Sequence, residues 1–387
     1  VKRSELHVKR KVPAVVAGLL LLCAGPLVIA QDVELQHAIE LTQAGEFHEA
    51  ELAWRKLDTA HPKNASIHAA LGLVLAQQGE LEQAAVEYRK AIALDPHQAD
   101  ASMNLGLAEF KQGKFGAAID PLLAAKKEKP DDPRTGILLG MSYYGTREYA
   151  KAVPYLQAAV NSDPANLKMH SVLAESCFFS RQYDCAMAEY KTILTADPNS
   201  VQAHMLMAQA LGELNRAPEA IKELEEAARI APDEPNVHFE LGYLYYVAHD
   251  YDHAGPQFEM ELQHNPEHAQ ASAYLGDIRL RTNDTAGAET LLTKALKLQP
   301  DMRMVYLDLG KIYSDEKKND EALAAFLKAE SLDPSEPDAH YRLARLYTTL
   351  GQKQKAEMEY AKTKALHSKA ADSLIQKISG PGAVVTP

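Results

Sequence analysis

From Gln31 onward, apolar and small residues recur in one pattern every 34 residues without insertion or deletion, and ten such repeats end at Ala370. In the repeat Ala65 to Gln98, Leu71, Gly72 and Leu75 stand at helical intervals, Gly79 breaks the run, and Ala84, Tyr88 and Ala91 follow at intervals of four and three. That periodicity predicts two helices joined by a tight turn. One column holds Ala in all ten repeats, from Ala50 and Ala84 to Ala322 and Ala356. Twelve residues later Pro stands in nine repeats, from Pro62 to Pro334, with Ser368 in the tenth. Twelve residues before the Ala column every repeat has Gly or Ala, preceded by Leu in eight of ten. Small side chains in these two columns predict a close approach of the paired helices, and Pro ends the second helix where the next repeat opens. A single hairpin cannot bury its own apolar face, so neighbours must stack on it. The pattern therefore predicts one all-α solenoid of antiparallel hairpins, not the two or three globular domains that 387 residues would otherwise suggest.

Leu71-Gly72, Gly79, Ala84, Tyr88, Ala91 and Pro96, with their counterparts in most other repeats, resemble the tetratricopeptide repeat (TPR) over residues 31–370. The resemblance implies a right-handed superhelix whose first helices line a concave groove, and an activity of holding protein partners or peptides. Departures sit at the ends: His37 stands where other repeats have Leu or Met, and the last repeat lacks its Pro. After it, residues 371–387 are expected to finish a capping helix, with Leu366, Leu374, Ile375 and Ile378 covering the last open face. Gly380-Pro381-Gly382 then releases a flexible tail.

Residues 1–30 have a different composition. Lys2, Arg3, Lys9, Arg10 and Lys11 form a basic leader, followed by 19 uncharged residues from Val12 to Ala30. Val28 and Ala30 supply the small residues of a cleavage site before Gln31, so this segment reads as a secretory signal peptide. Its length also approaches the ~20 residues of a membrane span, which makes an N-terminal anchor of residues 12–30 the alternative. Val1 in place of Met fits a non-AUG start codon and a bacterial source. The whole chain carries 41 Lys+Arg against 53 Asp+Glu, a net −12, and removal of the leader makes it −16. That balance, without a basic stripe, argues against nucleic acid as a partner.

Candidate chemistry is sparse. Only 17 residues follow Ala370, too few for a catalytic domain, so the expectation is no enzyme, no catalytic residues and no cofactor. His249, His253, His264 and His268 form two i, i+4 pairs, but eleven residues of helix between His253 and His264 span ~16 Å, so the four cannot share one ion. They read as solvated helix-end residues, with no metal site. His68, His170, His204, His238 and His340 occupy one column where the resembling family places a large packing side chain, and are expected to be structural. Cys177 and Cys185 lie in the two helices of one hairpin; the spacing leaves both a bridge and a pair of buried thiols open.

A second apolar stripe suggests a binding surface. In the seventh repeat the hairpin core is assigned His238, Leu241 and Tyr245, while Phe239, Tyr243 and Tyr246 lie ~100° around the helix. The third repeat matches with Met103, Leu107 and Phe110, the fourth with Ile137, Met141 and Tyr144. The fifth and sixth contribute Phe178, Phe179 and Met205, interrupted by Glu175 and Gln209, and later repeats turn polar at Asp277, Lys311 and Arg345. By the resemblance these positions line the peptide-binding groove; the competing reading is packing against adjacent first helices. Tyr, Phe and Met dominate recognition surfaces, which favours the groove for the stripe as a whole. The carboxylate clamp that TPR proteins use for chaperone tails needs Lys and Asn in one repeat, Asn in the next, and Lys and Arg in the third. No three consecutive repeats supply it. The expected function is thus an exported, periplasmic or secreted scaffold binding protein or peptide segments, in bacterial envelope assembly, pilus biogenesis or polysaccharide export. Its rivals are an accessory subunit of an envelope enzyme complex and a metal-responsive sensor built on the His pairs.

Overall fold

The computed structural model describes residues 26–379 along the backbone and 33–369 with their side chains. The expected leader therefore lies mostly outside the described residues, as does the tail after Ser379. The described residues form twenty helices and no strand. In chain order they are α1 (Pro26–Ala44), α2 (Phe47–Ala60), α3 (Ala65–Gln77), α4 (Leu81–Leu94), α5 (Ala99–Lys111), α6 (Phe115–Glu128), α7 (Pro133–Gly145), α8 (Tyr149–Ser162), α9 (Leu167–Phe179) and α10 (Tyr183–Ala196). Then follow α11 (Val201–Glu213), α12 (Ala217–Ile230), α13 (Val237–Val247), α14 (Tyr251–His264), α15 (Ala269–Arg281), α16 (Thr285–Leu298), α17 (Arg303–Asp315), α18 (Asn319–Leu332), α19 (Pro337–Thr349) and α20 (Lys353–Ser379). Odd-numbered helices are the first of each hairpin, even-numbered the second. The chain divides into two compact halves, one ending at Ile193 and the other beginning at Leu194. In each half, second helices pack both against their own first helix and against the first helix of the following repeat. No described helix is long and apolar enough to cross a membrane.

The small columns do what their spacing predicts. Ala50, Ala84 and the other column alanines through Ala322 are sealed from solvent, and Ala356 nearly so. A Cβ built on Gly106 would lie 2.4 Å from Leu122 Cγ, so this glycine permits the helix approach that buries Leu122 completely. Burial of such a side chain is worth about 1.5–3 kcal/mol, which makes these contacts the main stabilisation of each hairpin.

The turn inside each hairpin is also uniform. A residue with positive φ recurs every 34 positions, and in each repeat the next N–H reaches back to a carbonyl five residues earlier, as in Glu80 to Leu75 at 2.9 Å and Glu148 to Tyr143 at 2.8 Å. This is a Schellman closure of the first helix. Gly79 fills the left-handed position in the second repeat, but Arg147, Arg181, His249 and Lys317 fill it in others. Packing of the hairpin overrides a local conformational cost of ~1–2 kcal/mol at those residues.

The recurrent histidines are structural, and the geometry adds why. His68 Nδ1 lies 2.8 Å from Glu87 and its Nε2 3.1 Å from the Pro62 carbonyl. His170 meets Glu189, His204 meets Glu223 and His340 meets Glu359 in the same way, each with the preceding Pro carbonyl on its other nitrogen. A carbonyl only accepts, so Nε2 donates to it and the carboxylate faces Nδ1. Each ring thereby ties its hairpin to the loop before it; in the ninth repeat the Tyr306 hydroxyl donates to the Pro300 carbonyl instead.

Of the two alternatives left open for Cys177 and Cys185, the structure has the bridge, with Cα atoms 5.8 Å apart, joining α9 to α10. At the C-terminal end the second helix of the tenth repeat continues into residues 371–379. With Ser368 in the Pro column the second helix meets no stop, and α20 runs unbroken to Ser379.

Candidate binding surface on the first helices

The groove residues named from sequence separate into three groups once their surroundings are known. Phe110, Tyr144, Phe178 and Tyr246 sit one turn before the left-handed residue, and each packs edge-on against the aromatic that opens its own second helix. Their partners are Phe115, Tyr149, Tyr183 and Tyr251, with ring centroids 5.2, 5.9, 5.7 and 5.6 Å apart. Two of these tyrosines also bond forward into the next repeat: Tyr144 donates to Glu175, and Tyr246 to Asp277 at 2.7 Å. The Glu175 contact pushes the Tyr144 hydroxyl up to about 12. Burial, reinforced by Asp277, pushes Tyr246 well above the usual phenol range. Tyr144 and Tyr246 thereby fasten repeat to repeat, while Phe110 and Phe178 pack against the second helix of their own hairpin.

A second group is enclosed or nearly so. Met103 is only 7% exposed and packs in the core. Leu107, Ile137, Met141, Met205 and Phe239 are half-buried. Phe239 is held from several sides, stacking on His268 at 4.4 Å and approaching Phe258 and Tyr274 at 6.0 and 6.3 Å.

The third group is presented to solvent. Phe179 is 57% exposed in the first half, and Tyr243 is 37% exposed in the second. Both are held rigid from below. Phe179 stacks on Tyr149 at 4.9 Å and meets Phe178 edge-on at 5.4 Å; Tyr243 leans on Tyr274 at 5.5 Å and Phe239 at 6.3 Å. Preorganised rings of this kind lose little side-chain freedom when a partner covers them.

Sequence reasoning missed several members of this surface. Tyr274 lies three positions from the stripe column, yet its ring contacts Tyr243, Tyr246 and Phe239. Asp277 is not a groove-surface group as its column suggested. It is only 5% exposed, and accepts from both the Tyr246 hydroxyl and Arg281 Nε at 2.7 and 2.6 Å. Arg281 in turn lies over the Tyr251 ring at 5.0 Å, and Asp277 holds its guanidinium above the usual arginine range. One repeat further, Asp308 Oδ2 is sealed from water without a hydrogen-bond partner. Burial first, then Asp277, raises this carboxyl to about 7, opposed by Arg281, Arg342 and Lys311. Tyr245, assigned to the hairpin core, is half-buried and packs against the core around Phe258 and Leu275, its hydroxyl donating to Glu225 at 2.8 Å and its ring stacking on His253.

The histidine cluster does not converge. His249 occupies a left-handed turn position beside the Tyr251 hydroxyl, while His253 bonds Asp250 and His264 pairs with Asp233. His268 departs from the solvated reading, since it caps α15 through the Ala271 N–H and stacks under Phe239. Elsewhere Glu330, His340 and Glu359 approach one another closely, but the Lys362 ammonium bonds both carboxylates, at 3.3 and 2.8 Å. Their charge is already matched by protein groups, and the arrangement is an ion-pair network.

Family models described as "TPR repeat" match residues 72–113, 208–247 and 310–351, and models described as "Tetratricopeptide repeat" match residues 144–210 and 239–303. Together they cover more than half of the chain. Among solved structures, that of Naa15/Naa10 bound to HypK-THB is 16% identical with a TM-score of 0.52, the match covering 88% of this chain and 64% of that one. The crystal structure of the C-terminal part of a TPR repeat-containing protein from Cytophaga hutchinsonii is 18% identical with a TM-score of 0.52, the match covering 62% of this chain and 99% of that one. At such identities the likeness concerns the fold, an all-α superhelical repeat. No curated protein matches the sequence.

Proposed function

Because the chain belongs to the tetratricopeptide repeat family, a scaffold-type fold that binds protein, we propose that it is an exported, non-enzymatic scaffold holding protein or peptide segments against its first helices. The observation that carries this reading is Tyr243, an exposed ring fixed in place by Tyr274 and Phe239 instead of being packed away. Phe179 repeats the arrangement in the other half. Export is supported by the basic and apolar composition of residues 1–30, and by the Cys177–Cys185 bridge, which persists in oxidising compartments. A bacterial envelope is the setting in which we place it, with envelope assembly, pilus biogenesis or polysaccharide export as the processes served.

Two substitutions two residues apart test the binding face. Tyr243→Ala removes an aromatic anchor and is expected to weaken binding of a captured partner by ~1 to 2 kcal/mol with little change in stability. Leu241→Ala, at a position only 3% exposed, is expected to cost ~2 to 5 kcal/mol of stability. If Tyr243→Ala lowers the melting temperature as much as Leu241→Ala does, the ring is packing and the reading fails. Mass spectrometry of the protein from its native host checks export separately: an N-terminus at or near Gln31 is expected, and an intact leader in a membrane fraction would favour the anchor.

A further inference from the structure

The sixth repeat lacks a pair of rings that its neighbours share. In the third, fourth, fifth and seventh repeats an aromatic in the last turn of the first helix packs edge-on against the one that opens the second. In the sixth repeat these two positions hold Gly212 and Ala217. Gly212 does not serve a close approach of helices. A Cβ built on it meets nothing within 4 Å, whereas at Gly242 and Gly276 it would lie 3.0 and 2.8 Å from Phe258 and Leu292. The two absent rings leave a gap at the turn between α11 and α12.

The unbroken 34-residue register identifies what borders this gap. In the seventh repeat Tyr246 bonds Asp277, 31 residues on, and its ring meets that of Tyr274, 28 residues on, at 4.8 Å. The residues at those separations from Gly212 are Tyr243 and Glu240. Tyr243 is exposed, and so is Val247 one turn later. Glu240 is half-buried, and among the described residues no side chain bonds or pairs with its carboxylate. Burial, with no cation opposing it, pushes this carboxyl above its usual range. Neither α11 nor α13 contains a Lys or Arg. One repeat on, the chain fills the equivalent space from its own sequence: Arg281 lies over the Tyr251 ring at 5.0 Å and donates to Asp277 at 2.6 Å. The counterpart of Arg281 beside the gap is Val247, so a ring and a carboxylate stand there without the cation.

We propose that the gap at Gly212 and Ala217 receives an arginine side chain of the bound protein segment, its guanidinium stacked on Tyr243 and paired with Glu240. The assignment rests on the scaffold reading and gives the partner a chemistry. A guanidinium suits the site better than an ammonium, because its plane stacks on an aromatic face and its forked N–H groups match a carboxylate. An acidic segment would set a like charge against Glu240, and a wholly apolar one would bury that carboxylate without a counter-charge.

A phage-displayed library of random dodecapeptides, selected on the purified full-length protein, tests the assignment. Enriched peptides that lose binding on Tyr243→Ala are expected to share an arginine. For the tightest of them, Glu240→Gln is expected to weaken binding about tenfold or more, and replacing the peptide arginine by citrulline, its uncharged isostere, by a similar factor. Both changes together are expected to cost little more than either alone. Gly212→Phe with Ala217→Tyr restores the ring pair of the other repeats and is expected to abolish binding of that peptide, with helix content and melting temperature held or raised. Tyr243-dependent peptides without a basic residue, or an arginine peptide insensitive to Glu240→Gln or to the restored ring pair, overturn the assignment and leave the scaffold reading standing. A selection in which no enriched peptide depends on Tyr243 or Phe179 overturns both.

Discussion

Asp308 gives the most exposed test of the electrostatics along the first helices. Its Oδ2 is sealed and unpartnered, and burial raises the carboxyl from 3.8 to about 7. The native state therefore holds a proton between pH 4 and 7 that the unfolded chain has released, so stability falls as pH rises through that window and levels off above it. Each pH unit between the two values is worth ~1.36 kcal/mol. The difference, in which the opposing Arg281, Arg342 and Lys311 are already included, sets an upper limit of ~4 kcal/mol, reduced in practice by local relaxation. Asp308→Asn is isosteric and has no ionisation to lose. Amide exchange in α17, compared between wild type and variant from pH 4 to 8, reads the effect locally, as a nearest-neighbour array requires. The variant is expected to match wild type near pH 4 and to be more stable by a few kcal/mol at pH 8. Parallel pH profiles for the two proteins would refute the argument, and a stability gain largest at low pH would reverse its sign.

Two glycines in neighbouring repeats should respond in opposite directions to the same change. Gly106→Ala drives a methyl into Leu122 and is expected to destabilise by ~1–3 kcal/mol, whereas Gly136→Ala in α7 meets nothing within 4 Å and should stabilise by ~0.5–1 kcal/mol; thermal denaturation of both variants checks the pair. Reducing the Cys177–Cys185 bridge, or replacing Cys185 by Ser, removes a closure of a short loop worth ~2.5 kcal/mol in the chain-entropy treatment. Faster amide exchange is expected in α9 and α10 with none in α19; an unchanged pattern would mean that packing alone sets the stability of that hairpin.

The hairpins were readable in the sequence because close approach of two helices admits only small residues, so Gly72, Gly106 and the Ala50 column mark every repeat. Turns were less readable. Gly79 signals a left-handed residue, but Arg147 and Lys317 adopt the same conformation under tertiary constraint and carry no local signal. The binding stripe was readable as a helix face and not as a surface, because periodicity gives the direction of a side chain and not what lies beyond it. Tyr144 and Tyr246 point along the stripe yet bond into the next repeat, Met103 is covered, and Phe179 and Tyr243 are left outward. Tyr274 escaped notice since its column is otherwise occupied by unrelated residue types such as Asn104, Glu240 and Asp308. At the C-terminal end the apolar residues of a capping helix were visible, but the consequence of Ser368, a second helix continuous to Ser379, was not.

The central claim, that protein segments are held against the first helices, is tested most directly by site-specific photocrosslinking in cells of the native host. A photoreactive residue is placed in turn at Tyr243, at Phe179, and at Val86 and Leu327, which are 47% and 42% exposed on second helices. Exposure in the same range at the two kinds of site, with Tyr243 below and Phe179 above both controls, removes accessibility as the explanation of a consistent difference. The account predicts discrete crosslinked protein partners from Tyr243 and Phe179 and none from Val86 or Leu327. Discrete partners captured only from Val86 and Leu327, with the first-helix positions silent, would contradict it.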